Sequence, residues 1–191
     1  MLKTSTILIA VLTLFSGASV MALEEPAYEV LLTAGDIEFR QYDPYIVAEV
    51  SVTGSSADRQ AFSILAGYIF GDNESGTEMA MTAPVETRGS EYAFVMESQY
   101  SMETLPQPDD PRISLRNKPA RVVAVLGFSG RWTERNIAKH EQLLLAGLAE
   151  LGIDPTDEPE LARYNSPFTP WFLRRNEIVV AVDWSRVTTG N

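Results

Sequence analysis

The sequence predicts an α+β fold in which two mainly antiparallel sheets each carry one helix, and three observations lead there. A strand pair recurs at a fixed offset, each copy runs into an amphipathic helix, and each helix is followed by a proline turn and further strand sequence. A β-α-β-β unit present twice in one chain is the simplest arrangement with all three properties.

The first copy opens at Ile37-Glu38-Phe39-Arg40, where apolar and polar residues alternate. After a Tyr42-Asp43-Pro44 turn it continues as Ile46-Val47-Ala48-Glu49-Val50-Ser51-Val52, up to Gly54. At an offset of 76 residues, Ile113-Ser114-Leu115-Arg116 and the run Val122 to Gly130 repeat both strands in one register, Arg116 answering to Arg40 and Gly130 to Gly54. Ser55 is the expected cap of the first helix, with Asp58 three residues on, and Gly71 its stop. Thr133 with Asn136, and then Gly152, do the same for the second. Ala61, Phe62, Leu65, Tyr68 and Ile69 form one helical stripe, and Ile137, His140, Leu144, Leu148 and Leu151 another. Met79 to Val85 then leads to a strand at Tyr92–Met96, and Tyr164 to Phe168 to a strand at Ile178–Val182. Pro84 and Pro167 stand 83 residues apart, so the second copy carries seven extra residues, assigned to its longer helix and the loop after it. The pseudo-repeats run from about 28 to 104 and from about 112 to 185, joined by the rigid polar segment Leu105 to Pro111. Since a lone copy would leave a sheet face uncovered, both are read as halves of one domain, residues 23–191.

Residues 1–22 read as a secretory signal, with Lys3, the apolar run Ile7 to Phe15, and small residues to Val20-Met21-Ala22. Cleavage after Ala22 is expected, and Ser16-Gly17-Ala18 is a second acceptable site. The protein is therefore expected to be periplasmic or secreted. The apolar run is shorter than the roughly 20 residues of a spanning helix, so no stable membrane anchor is expected after cleavage. The 191 residues contain no Cys, which removes disulfides, thiolate chemistry and N-terminal lipid attachment.

Fifteen Lys and Arg against 26 Asp and Glu give a formal net charge of −11, which repels a phosphate backbone; no nucleic acid partner is expected. The charge is uneven. Residues 23–100 hold 3 cations and 14 acids, residues 101–191 hold 11 and 12. His140 is the only histidine, on a helical stripe, and no Gly-x-Ser-x-Gly, His-Glu-x-x-His or phosphate-loop motif occurs. Acyl transfer and zinc chemistry lack their parts. Met79, Met81, Phe168, Trp171 and Phe172, with Phe62 and Leu65, either fill the core or line a pocket for a flat apolar ligand. Arg174-Arg175 beside Trp171-Phe172 either pairs with acids such as Glu177 or receives the carboxylates of an amphipathic acid such as a porphyrin.

Four segments in order resemble the SOUL haem-binding protein family: Ile37-Glu38-Phe39-Arg40-Gln41-Tyr42, Tyr68-Ile69-Phe70-Gly71-Asp72-Asn73, Met79-Ala80-Met81-Thr82-Ala83-Pro84-Val85, and Tyr164-Asn165-Ser166-Pro167 leading to Arg174-Arg175-Asn176-Glu177. The likeness extends from about Pro26 to Trp184. It implies a distorted β-barrel of two four-stranded sheets flanked by two helices, with haem or another tetrapyrrole in a shallow apolar groove along the first helix. Carried over by position, a rim cation falls on Arg59, groove residues on Phe62 and Leu65, and the groove loop on Phe168 to Phe172, with Trp171 between. Two further rim cations of the family match Gly67 and Thr169 or Pro170, so they are absent here. His140 is the candidate axial haem ligand, with Met79, Met81 and Tyr68 as fallbacks. The leading expectation is a non-catalytic, monomeric protein that binds a small amphipathic ligand, haem or a related tetrapyrrole, as carrier, buffer or scavenger. The same fold in effector-binding domains of multidrug regulators implies, as an alternative, binding or turnover of another apolar amphiphile. A protein-interaction module contacting through the acidic first copy is the third reading.

Overall fold

The computed structural model describes residues 23–185; the expected signal at residues 1–22 lies outside the described residues. The elements are β1 (Tyr28–Ala34), β2 (Ile37–Tyr42), β3 (Tyr45–Ser51), α1 (Ala57–Ile69), β4 (Val85–Arg88), β5 (Glu91–Val95), β6 (Ser114–Lys118), β7 (Arg121–Phe128), α2 (Glu134–Glu150), β8 (Glu160–Arg163) and β9 (Asn176–Ala181). The strands form one nine-stranded sheet, ordered β1-β2-β7-β9-β8-β4-β5-β3-β6, in which each neighbouring pair is antiparallel.

Two separate four-stranded sheets were expected, and one continuous sheet is found. The joint is β4 against β8, where Val85, Glu86 and Thr87 pair with Arg163, Ala162 and Leu161. Exchanging β2–β5 for β6–β9 reverses the order of these eight strands and otherwise leaves it unchanged. The sheet also curls. β3 and β7 are five places apart in the strand order and would lie about 24 Å apart if flat, yet Arg121 donates to the Tyr45 hydroxyl at 2.9 Å. The result is a half-barrel.

Alternation along the strands decides what each face carries. Toward α1 point Ala48, Val50, Tyr92, Phe94 and Met96, and they bury Leu65, Tyr68 and Ile69. Toward α2 point Phe39, Ala124, Ile178 and Val180, packed against Leu144 and Leu148. At about 1.5–3 kcal/mol for each fully buried large apolar side chain, these two contacts hold the helices in place. Gly147 lets α2 approach closely, since a Cβ there would meet Ile37 Cδ1 at 2.6 Å. The face turned from the helices buries charge, Arg40, Glu86, Glu160 and Glu177, among smaller apolar clusters that include Val123 and Val125, and Val47 and Val95.

The helix ends follow the expected signals with two differences. Thr133 caps α2 by accepting from the Asn136 N–H at 3.3 Å, and Gly152 follows the helix in the left-handed region at φ 70. At α1 the N-cap is Ser56 rather than Ser55, and its side chain makes no cap bond. Leu151, counted in the buried stripe, is exposed at the α2 C-cap.

The proline turns differ from one another. Pro84 precedes β4, whereas Pro167 follows β8, so the two turns do not hold equivalent places in the two halves. Two residues join β4 to β5, whereas residues 164–175 join β8 to β9. The second half's extra residues therefore sit there, beyond the sheet, and not after the helix. β1, absent from the expected elements, adds to β2 at one edge.

Candidate functional site

The apolar stripe of α1 is wider than the sheet beneath it. Phe62 is 45% exposed and leans on Phe94 of β5, ring centroids 5.4 Å apart. Next to this pair, a cavity of about 550 Å³ opens between α1, β4, β5 and the end of β8. That is the size range of small-molecule sites. Leu65, Met81, Val85 and Phe94 form its apolar wall, and Trp132 and Pro167 bound it on the side of the second half.

Three charged residues face this space: Asp58 and Arg59 from the first turn of α1, and Arg163 from the last position of β8. Arg59 is exposed and makes no hydrogen bond or ion pair among the described residues. Arg163 Nη2 donates to Thr87 Oγ1 at 2.8 Å, and Nη1 lies 3.5 Å from Asp58 Oδ2. The Trp132 ring has Arg174 at 4.1 Å and Arg163 at 5.4 Å from its centroid, and its indole N–H donates to Asn176 Oδ1 at 2.6 Å. This fixes the ring as one wall of the cavity.

Of the residues singled out in the sequence, Arg59, Phe62 and Leu65 meet at this cavity. Phe168, Trp171 and Phe172 do not line it. Their loop leaves the cavity at Pro167 and turns them to solvent, Phe168 being 94% exposed. Arg174 holds the loop, donating to the carbonyls of Thr169 at 2.9 Å and Pro167 at 2.7 Å, so its guanidinium is engaged. Arg175 is engaged as well, by Glu25 and Glu177. At Gly67, where the family places a cation, a Cβ would meet Asp72 Oδ2 at 2.5 Å.

His140 lies elsewhere. It stacks on Phe128 with centroids 4.1 Å apart, its Nδ1 is 2.7 Å from the Asn136 carbonyl oxygen, and it borders a separate hollow with Glu38, Arg40 and Leu143. The structure does not bring it to the cavity beside α1. Among the fallback ligands, Met79 is buried under α1, and Tyr68 is buried with its hydroxyl donating to the Pro106 carbonyl at 2.8 Å. Burial pushes the Tyr68 phenol up to about 12. Met81 alone of these is on the cavity wall.

Arg163 and Trp132 were not singled out in the sequence. The signal for Arg163 was present: it ends the segment Glu160-Leu161-Ala162-Arg163, directly before the Tyr164-Asn165-Ser166-Pro167 motif. An apolar wall with two guanidinium groups at its edge fits a flat macrocycle bearing carboxylates.

The chain matches the family model described as SOUL haem-binding protein over residues 23–181, and so belongs to that family. No curated protein matches it. Among solved structures, the C-terminal domain of EcmrR superposes with a TM-score of 0.58 at 13% identity, over 82% of this chain and 98% of that one. An uncharacterized conserved protein from Listeria innocua gives 0.57 at 11% identity, over 78% and 92%. A protein described as a hydrolase, also from Listeria innocua, gives 0.52 at 11% identity, over 80% and 94%. These likenesses concern the fold.

Proposed function

We propose that this protein is an exported, non-catalytic binding module that holds haem or a related tetrapyrrole in the cavity beside α1, as carrier, buffer or scavenger. The supporting observation is the coincidence of a 550 Å³ apolar cavity with Arg59 and Arg163 at its edge, on the helix where the family's groove runs. The palindromic strand order supports the reading of a duplicated β-α-β-β unit, with the ligand held mainly by the first half. Export follows from the pattern of residues 1–22. Among the described residues no helix is long and apolar enough to cross a membrane.

Bound haem would supply its iron as a coordination centre. The chain itself supplies an apolar bed in Phe62, Leu65 and Phe94, cations for the propionates, and the Met81 thioether. The loop of Phe168, Trp171 and Phe172 starts at the cavity edge, and closing it over a ligand would cover apolar surface that now faces water.

The test is a haemin titration followed in the Soret band, on protein beginning at Leu23, which retains every element of the fold. Saturation near one equivalent is expected, altered by Phe62→Ala and Met81→Ala and unchanged by His140→Ala. A linear, unsaturable titration would sink the proposal. Saturation lost in His140→Ala would move the site to the α2 side.

A further inference from the structure

Arg163 differs from the other buried arginines of the described chain. Its side chain is only 11% exposed, yet its one ion pair spans 3.5 Å to an Asp58 that is 65% exposed. Its Nε is buried with no hydrogen-bond partner. Arg88 and Arg121 also leave Nε unpartnered, but each lies within 3.1 Å of the buried Glu160 carboxylate. Burial pulls the Arg163 guanidinium below its ordinary range, and Asp58 and Tyr92 only partly oppose this. For Arg40, Arg88, Arg121 and Arg175 burial acts the same way, but their partners outweigh it and the direction is upward.

A guanidinium taken out of water without a close carboxylate is an anion site waiting for its anion. The surroundings agree. The cavity wall carries two cations and one acid, in a chain whose formal net charge is −11. Asp58 is the only carboxylate on that wall; it is exposed and 3.5 Å from Arg163 Nη1. An incoming carboxylate that replaces it would pair with Nη1.

We propose that Arg163 is the carboxylate receptor of this cavity: the ligand is an amphipathic acid whose carboxylate displaces Asp58, while its apolar body lies on Phe62, Phe94 and Met81. The inference rests on the reading of the cavity as the ligand site, and the chemistry is shared by a porphyrin propionate and a fatty acid. It makes Arg163, in the second half, the selector for a pocket whose apolar bed comes from the first.

The experiment compares matched acid and neutral probes on wild type, Arg163→Met, Arg163→Lys and Asp58→Asn: protoporphyrin IX against its dimethyl ester, and dodecanoate against dodecanol. Wild type should bind the acid of at least one pair about tenfold or more tighter than its neutral partner, as expected for a charge-assisted contact in a desolvated site. Arg163→Met should remove that preference, so that acid and neutral probe bind alike. Arg163→Lys should keep part of the preference, and Asp58→Asn should tighten the acid alone, about threefold, by removing its competitor. Equal binding of acid and neutral probe, or a preference that survives Arg163→Met, would overturn the assignment. If Arg163→Met fails to fold, Asp58→Asn decides: no change in acid affinity overturns it. Arg163-dependent preference for dodecanoate with neither porphyrin binding would refute the tetrapyrrole reading and uphold the receptor. No binding of any probe would overturn both.

Discussion

The two faces of the half-barrel hold buried charge in opposite ways. On the face turned from the helices, Arg40 donates to both oxygens of Glu177, at 2.9 and 3.2 Å, and to Glu38 at 2.8 Å. Tyr164 completes Glu177 with a bond of 2.8 Å. Nearby, Lys118 bridges Glu86 and Glu160, Arg88 and Arg121 reach Glu160, and Tyr45 donates to Glu86 at 2.7 Å. On the helix side, Arg163 donates to the Thr87 hydroxyl, and its one carboxylate partner is distant and exposed. A saturated network ties strands together, because removing any member leaves another uncompensated. An unsaturated group leaves its interaction free for a ligand. The contrast gives one face a structural role and, under the proposed function, the other a binding role.

Glu177→Ala should break the first half of this contrast hardest. It leaves Arg40 buried with only the more exposed Glu38, and should cost about 3–5 kcal/mol in urea unfolding. A loss under about 1 kcal/mol would mean that water reaches the network.

A pH series sharpens the same face. Burial and the neighbouring Glu160 hold the Glu86 carboxyl above its ordinary range, despite Lys118. Burial also pushes Glu160 up, but Lys118, Arg121 and Arg88 outweigh it and hold it below. For Glu86 the stabilising contribution is therefore present below the unfolded carboxylate range and lost as pH rises through the raised folded value. For Glu160 it is present above that range and lost as pH falls through the lowered one. Urea midpoints between pH 4 and 8 should show Glu86→Gln gaining on wild type as pH rises, and Glu160→Gln losing ground. The opposite slopes would reverse the assignment of charge within the pair.

On the helix side, Arg163→Met should change folding stability by less than about 1 kcal/mol, since the arginine has no close carboxylate to strand and methionine suits the wall. A loss comparable to that of Glu177→Ala would make Arg163 structural and erase the contrast. The smallest effect is expected at Phe172→Ala, within about 0.5 kcal/mol, because the ring is exposed on a loop. Differential scanning calorimetry of the two variants measures both.

How much of this was legible differs between elements. Both helices, and the strands β2, β3, β6 and β7, could be read from apolar spacing and from Thr133, Gly71 and Gly152 at their ends, because those signals act within one or two turns of chain. Arg59, Phe62 and Leu65 reached the cavity because helix geometry alone puts them on one side of α1. The place of the aromatic loop was not legible, since Phe168, Trp171 and Phe172 carry the composition of a pocket wall, yet where they lie depends on what Arg174 and Gly130 tie down. His140 sits on a helical stripe as expected, but it stacks on Phe128 under α2, away from the cavity beside α1. Arg163 went unmarked, because a strand-end arginine looks the same whether its partner is near or absent.

Apolar spacing, caps and glycine stops were enough to place both helices and the strands β2, β3, β5, β6, β7 and β9, because these are properties of a few neighbouring residues; β1 and β8 were not legible in this way. Long-range packing alone settled that β4 joins β8 to make one sheet, that Arg40 finds Glu177 across 137 positions, and that Arg163 finds no close carboxylate. Partner saturation depends on distances between residues far apart in sequence, and it is what separates a buried charge that holds the fold from one that holds a ligand.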